Sequence, residues 1–244
     1  MKTKSSMKVM LAGLLVLPFV GSGAPLVTPD LAGVTEYEGW EGLTAGNYPD
    51  YPGFPGTAPW PEPIASNTAG SAGNAGFNKI SGGGYPGSQS IYNFTTAGTF
   101  EIANTSAITG VETVVVQLDL GEGNSFFTAA PVLSYNGGSQ DLAPDFEKSG
   151  TGPTDFTNPA TGNPGTTTLF GYQWDLSGVG GVTDYAIEWT TDAHATTFNL
   201  RLDSSDRYTG NAISAVPEPS GFGLVLALGV LGLTAVRRPR LSRR

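Results

Sequence analysis

Regular alternation of apolar and polar residues marks the chain from Gln89 onward, where short runs are separated by turn residues. The alternation is clearest over 185–189 and 198–202, where every second residue is large and apolar. Successive side chains of a β-strand point to opposite faces of the sheet. Both runs therefore predict strands with one buried face, and we expect Trp189 and Phe198 to lie in the core on facing or neighbouring strands.

Seven strands are predicted in this half of the chain from β-branched and aromatic runs between turn residues. They span 90–94, 99–103, 112–120, 132–135, 168–176, 183–190 and 196–203. No helical period occurs between them. Short antiparallel strands at this spacing predict an all-β fold, a two-sheet antiparallel β-sandwich of jelly-roll type.

Residues 24–87 show no period of two or 3.6 and are rich in proline, glycine and aromatic residues. This composition predicts an irregular arm with one strand over 34–40. Flat rings can pack against the C–H face of a sugar. The candidate ligand-binding rings in this arm are Trp40, Tyr48, Tyr51 and Trp60. The alternative is that these rings fix the arm to the strands that follow.

The N-terminus has the pattern of a secretory signal. Lys2, Lys4 and Lys8 precede an apolar run over 9–20, and small residues follow up to Gly23. The apolar run is too short to cross a bilayer as a permanent anchor. We therefore expect export through the Sec translocon and removal of residues 1–23 by signal peptidase.

The C-terminus carries three features in a fixed order. Pro217, Glu218 and Pro219 form a rigid, extended tripeptide, because each proline restricts its own φ and the residue before it. An apolar run over 221–236 follows, and as a helix it would be roughly 24 Å long, just short of the thickness of a bilayer core. The arginines after it would hold the C-terminal end of this helix on the cytoplasmic side of the membrane. The predicted membrane anchor comprises Gly221, Phe222, Leu224, Leu226, Leu228, Leu231, Leu233, Val236, Arg237 and Arg238.

This order of Pro-Glu-Pro, apolar helix and arginine cluster resembles the PEP-CTERM sorting tail of exopolysaccharide-producing Gram-negative bacteria. The resemblance implies an inner-membrane intermediate that an exosortase, a membrane cysteine protease-transpeptidase, processes near the tripeptide. It also implies a final location at the outer surface or in the extracellular matrix. The stretch from Tyr172 through His194 to Asp206 is similar to the end of the core domain in uncharacterised PEP-CTERM proteins, which implies a shared module of unknown activity.

Five segments make up the predicted organisation. They are a signal peptide (1–23), the irregular arm (24–87), a β-sandwich core (88–209), a linker (210–215) and the sorting tail (216–244).

The charge distribution narrows the choice of partners. Between Pro25 and Val216 there are 20 acidic and four basic residues, a net charge of −16, and the chain has no cysteine. Such a surface disfavours nucleic acid. It suits calcium ions or neutral sugars, and the absence of cysteine excludes a disulfide framework.

Motifs for catalysis are sparse. His194 is the single histidine, which excludes a zinc site of several histidines, and neither G-x-S-x-G nor H-E-x-x-H occurs. Two carboxylates in a cleft can hydrolyse a glycosidic bond. Candidate pairs are Asp119 with Glu122, and Asp141 with Asp145 or Glu147.

Acidic loops also suggest a structural calcium ion, because this cation prefers several carboxylate and carbonyl oxygens. The candidate ligands are Asp141, Asp145 and Glu147, and separately Asp203 with Asp206.

The favoured hypothesis is therefore a non-catalytic β-sandwich module outside the cell, associated with exopolysaccharide in adhesion, matrix formation or carbohydrate binding. The alternative is an extracellular polysaccharide-active enzyme that uses a carboxylate pair. A cleft with two convergent carboxylates would favour the enzyme, whereas a shallow face with exposed Trp or Tyr side chains, or the lack of any cleft, would favour the module.

Overall fold

The computed structural model describes residues 26–158 and 161–213, in which ten β-strands and no helix occur. The predicted sorting tripeptide and membrane anchor lie outside these residues, and so does the signal peptide. Within the described ranges, no helix is long and apolar enough to cross a bilayer. The strands are β1 (Thr35–Trp40), β2 (Ile64–Ala65), β3 (Ala75–Pro86), β4 (Ile91–Asn104), β5 (Thr113–Gly121), β6 (Phe127–Tyr135), β7 (Phe146–Thr157), β8 (Pro164–Asp175), β9 (Tyr185–Thr191) and β10 (Thr196–Ser205).

The ten strands form one hydrogen-bonded antiparallel sheet that curls on itself. Its main order is β2-β3-β4-β10-β5-β8-β7, while β9 pairs with both β4 and β6, and β1 pairs with β10. The two halves meet where Ile91 and Tyr92 of β4 pair with Thr197 and Thr196 of β10. Beyond this short junction β4 continues along β9 and β10 continues along β1. The junction is therefore the corner at which the sheet turns.

Strands on both sides of the corner contribute to one apolar core. The rings of Phe77 and Trp189 stack there with centroids 5.9 Å apart. Trp189 is 1% exposed, as its phase in the sequence predicted. The predicted all-β fold class is confirmed, because the described residues form ten strands and no helix. Other core residues are Phe100, Ile102 and Ile187 from one half, and Val114, Val116, Leu118, Trp174, Leu200 and Leu202 from the other.

The predicted irregular arm contains more strand than its sequence indicated. β1 agrees with the expected strand, but β3 was not predicted, because its glycines hide the alternation of side chains. The pairing of β3 with β4 shifts register on both sides of Ser81, and Gly82 has a φ of 78°. β7 was also missed, and the two strands predicted over 90–103 are the single long strand β4.

Phe198 is buried, as predicted, but it does not join Trp189 in the main core cluster. The pairing of β10 with β5 shifts between Thr197 and Asn199, which is a bulge that interrupts the alternation. Phe198 is 7% exposed and packs against Phe156 of β7, with ring centroids 5.3 Å apart. Its ring is therefore buried outside the core cluster that contains Leu200 and Leu202.

Both ends of the described chain cover the outer face of β5, a strand that is buried on both sides. The side-chain amide of Gln117 donates a hydrogen bond to the carbonyl of Val27. Ala212 and Ile213 pack on Val115, and the N–H of Asp30 donates to the carbonyl of Ala212. The first residues of the predicted linker 210–215 are thus part of the folded domain.

Candidate functional site

A groove opens where the turn between β3 and β4 approaches β7 and β10. It has two adjoining parts, with volumes of about 190 and 320 Å³, which share Ser88, Gln89 and Phe198. The remaining lining residues are Gly42, Thr44, Tyr85, Gly87, Ser90, Tyr92, Thr154, Asp155, Phe156, Thr157, Thr196 and Asn199. Most of the side chains in this set are aromatic, hydroxyl or amide groups.

Two pairs of aromatic rings line the first part of the groove. Tyr85 and Tyr92 pair across the β3–β4 hairpin, and their ring centroids are 6.0 Å apart in an edge-on arrangement. Phe156 and Phe198 meet from β7 and β10. One hairpin and two strands from distant parts of the sequence thus bring their rings to one concave surface.

Further rings continue from the groove across the protein surface. Phe94 lies 6.4 Å from Tyr92 and 4.8 Å from Phe54, measured between ring centroids. Phe54 is 67% exposed, and its centroid is also 6.5 Å from that of Tyr85. We call Phe54, Tyr85, Tyr92 and Phe94 the aromatic strip. It extends the groove along one side with ring surface that solvent reaches.

A buried lysine fixes the loop that carries Phe54. The ammonium group of Lys79 donates hydrogen bonds to the carbonyls of Gly56 and Ala58. Its burial lowers the pKa of the lysine. Gly56 has a φ of 83°, and a Cβ there would lie 2.6 Å from the ring of Tyr85. The loop therefore lies directly against the aromatic strip, and glycine is required for that close approach.

The single histidine orients Tyr92. The hydroxyl of Tyr92 lies 2.7 Å from the ring nitrogen Nδ1 of His194. The backbone N–H of His194 donates a hydrogen bond to the backbone carbonyl of Asn93. Burial raises the pKa of Tyr92, so its hydroxyl stays protonated and can donate. Ser125 donates its hydroxyl to Asp192 at 2.8 Å. The hydrogen-bond partner of the His194 ring is therefore Tyr92, and among the described residues no serine is hydrogen-bonded to this ring as a catalytic triad would require.

A carboxyl group lies beneath the second part of the groove. Asp119 of β5 is fully buried, and its Oδ2 accepts hydrogen bonds from Thr154 Oγ1 at 2.6 Å and Asn199 Nδ2 at 3.0 Å. Burial raises the pKa of Asp119, and hydrogen bonds from Thr154, Thr167 and Asn199 oppose that rise. Since Thr154 and Asn199 line the groove, Asp119 holds two groove side chains in position.

The four rings predicted to bind a ligand lie elsewhere. Trp40 and Trp60 are buried, and their indole N–H groups donate to the carbonyls of Ile64 and Gly84. Tyr48 and Tyr51 are half-buried and pack in series against Trp60. The alternative interpretation therefore fits, because these rings fix the arm to the core. The short turn at 87–90 is the sequence signal that could have pointed to the groove. Tyr85 and Tyr92 lie at matching distances on either side of this turn and pair across the β3–β4 hairpin.

The acidic residues proposed as calcium ligands have separate roles. Asp203 makes two hydrogen bonds of 2.7 Å to Arg201. One oxygen of Asp206 accepts from the N–H of Val34, and one oxygen of Asp145 accepts from the N–H of Asp175. Asp141 and Glu147 are exposed. Within residues 26–158 and 161–213, no three acidic or histidine side chains come together, so calcium binding stays a prediction without a site.

Rings and neutral polar groups predominate among the described residues that line the groove. Asp155 is the one carboxylate in this set, and Asp119 is engaged below the surface. Glu122, the predicted partner of Asp119, does not line the groove. Comparison of the chain with models of protein families, with curated proteins and with solved structures finds no match.

Proposed function

We propose that this is an exported surface or matrix protein whose β-sandwich module binds exopolysaccharide without cleaving it. The observation that carries the proposal is the groove, where the half-buried ring of Tyr85 lies beside hydroxyl and amide side chains and the exposed ring of Phe54 extends the accessible ring surface. The other rings of the groove, Tyr92, Phe156 and Phe198, are largely buried and supply its apolar wall. Rings pack against the C–H faces of sugars, and the neutral polar groups exchange hydrogen bonds with sugar hydroxyls. A groove of this composition favours a binding module over the alternative of a carboxylate-dependent enzyme.

The two-sheet architecture belongs to the same proposal. One half of the curled sheet has the order β6-β9-β4-β3-β2, and the other has the order β1-β10-β5-β8-β7. Apolar residues from both halves share one core, which supports two layers packed face to face in the manner of a jelly roll. The groove would then lie at the edge where the layers join.

Export and processing rest on the patterns at the two ends of the sequence. The signal pattern over residues 1–23 and the Pro217-Glu218-Pro219 tail support passage through the Sec translocon and cleavage by an exosortase. Intact-mass analysis of protein from the native host tests this. The expected mass lacks residues 1–23 and the residues after Pro219, and recovery of the full 244-residue chain from mature cells would contradict it.

Carbohydrate binding is tested on the exported part, residues 24–216, which contains all ten strands. A glycan array probed with this protein should show binding to polysaccharide fragments of several sugar units. The reason is that the groove and the aromatic strip together are longer than a single sugar unit. Incubation with each bound glycan should release no shorter product. Product release would favour the enzyme, and an array without binding would refute the proposal.

A further inference from the structure

We infer that the groove selects uncharged polysaccharides and rejects acidic ones such as uronate chains. The inference rests on the proposed carbohydrate binding and adds the class of glycan. It follows from the charges around the groove, which differ in kind from those of a site for an anionic polymer.

The groove offers a negative charge and no positive charge. Asp155 on β7 is exposed at its rim, and no lysine or arginine occurs among the residues that line it. A carboxylate on a bound sugar would meet like charge here without a compensating cation, and such juxtaposition is costly.

None of the four basic residues of the described chain is among the residues that line the groove. Lys79 is buried and held by Gly56 and Ala58, and Arg201 is joined to Asp203 by a bidentate ion pair. Lys148 lines a separate cavity beside Phe170 and Tyr172. Arg207 contacts the chain near Gly33, before β1.

Arg201 could reach an anion only by leaving two partners. Its guanidinium group makes two hydrogen bonds to Asp203 and lies 4.0 Å from the ring centroid of Tyr37. Asp203 is 4% exposed, so loss of the pair would leave a buried carboxyl group without its partner. This arginine is therefore committed to the fold.

The polar side chains of the groove suit hydroxyl groups. Ser88, Gln89, Ser90, Thr196 and Asn199 are neutral. Tight binding of carboxylates usually requires charge-assisted bonds from arginine or lysine. The excess of 20 acidic over four basic residues in the exported part adds long-range repulsion that salt would screen. Both the local and the distant charges thus favour a neutral glycan.

Matched probes separate charge from shape. We would titrate residues 24–216 with hexasaccharides of glucose, mannose and galactose, and with the same chains after oxidation of each C6 hydroxymethyl group to a carboxylate. Calorimetry at 20 mM and 500 mM NaCl should show binding of a neutral chain about tenfold or more tighter than its uronate counterpart at low salt. The ratio should fall at high salt.

Charge reversal at the rim gives the sharpest version of the test. Asp155→Lys should reduce the ratio of neutral-chain to uronate affinity severalfold at low salt. Glu62→Lys is the control, because it changes the net charge equally at an exposed position outside the groove. It should leave most of the affinity ratio intact. Equal or tighter binding of uronates by the unmodified protein overturns the charge selection but leaves carbohydrate binding standing. Absence of binding to all six probes at both salt concentrations overturns both.

Discussion

The hydroxyl of Thr154 donates a 2.6 Å hydrogen bond to Oδ2 of Asp119, although strand β8 separates their strands β7 and β5. The contact is possible because the pairing of β7 with β8 shifts between Thr151 and Asp155, which interrupts the regular ladder beside Thr154. One buried carboxyl group thereby connects the wall of the groove to the centre of the sheet.

Loss of the Asp119 carboxyl group should weaken both the fold and the groove. Asp119→Ala leaves the hydroxyl of Thr154 and the amide of Asn199 without their acceptor, so we expect the free energy of unfolding to fall by about 1–3 kcal/mol. Asp119→Asn keeps an acceptor and should cost less. Denaturant unfolding of the two variants checks this, and equal stability of Asp119→Ala and the unmodified protein would contradict the role of the carboxyl group.

The buried ion pair predicts how stability varies with pH. Burial raises the pKa of Asp203 from 3.8 to about 6, even though Arg201 acts in the opposite direction. The folded state therefore holds this proton more tightly than the unfolded chain does. The stabilisation is fully present below about pH 4 and is lost as the pH rises through 6, with a change on the order of 3 kcal/mol at most.

Asp203→Asn isolates that contribution, because it removes the titrating group and retains an acceptor for Arg201. The measurement is chemical unfolding of both proteins from pH 4 to 8. Stability of the unmodified protein relative to the variant should decrease across this range. A relative stability that increases with pH would show that the ion pair, and not burial, dominates the pKa of Asp203.

Two aromatic residues that look equivalent in the sequence should differ in their effect on stability. Trp189 packs among Phe77 and Phe100 in the core, so Trp189→Ala should cost about 3–5 kcal/mol. Phe198→Ala should cost less, since its ring lies outside this core cluster and borders the groove. Tyr208→Ala, at a side chain that is 50% exposed, is the control and should be neutral. If Phe198→Ala lowered the free energy of unfolding as much as Trp189→Ala does, this result would contradict the separation of the two rings.

The contrast between these rings also marks how far the sequence predicts the fold. Alternation is reliable over 185–189, where the pairing of β9 with β4 is regular, and it predicted the buried face of β9. At Phe198 it predicted the burial of the ring but not its surroundings, because a bulge between Thr197 and Asn199 interrupts the strand and the ring packs outside the main core cluster. It failed over Ala75–Pro86, where glycines contribute no side chains to the pattern.

The groove could not be predicted from local patterns, because its walls come from four separate parts of the chain, near residues 42, 85–92, 154–157 and 196–199. Composition did indicate aromatic residues for sugar binding, but it could not show which rings are buried. Trp40 and Trp60 resemble binding residues in the sequence and are core residues in the fold.

Carbohydrate binding through the groove is tested most directly by calorimetric titration of three variants with the best-binding glycan of the array. Tyr85→Ala and Phe54→Ala remove rings of the aromatic strip, and Tyr208→Ala removes an exposed ring that does not line the groove. Stacking losses of about 1–2 kcal/mol correspond to affinities weakened by about fivefold to thirtyfold for the first two variants. The Tyr208 variant should bind as the unmodified protein does. Undiminished affinity in both Tyr85→Ala and Phe54→Ala, with all variants folded by circular dichroism, would contradict binding at this groove.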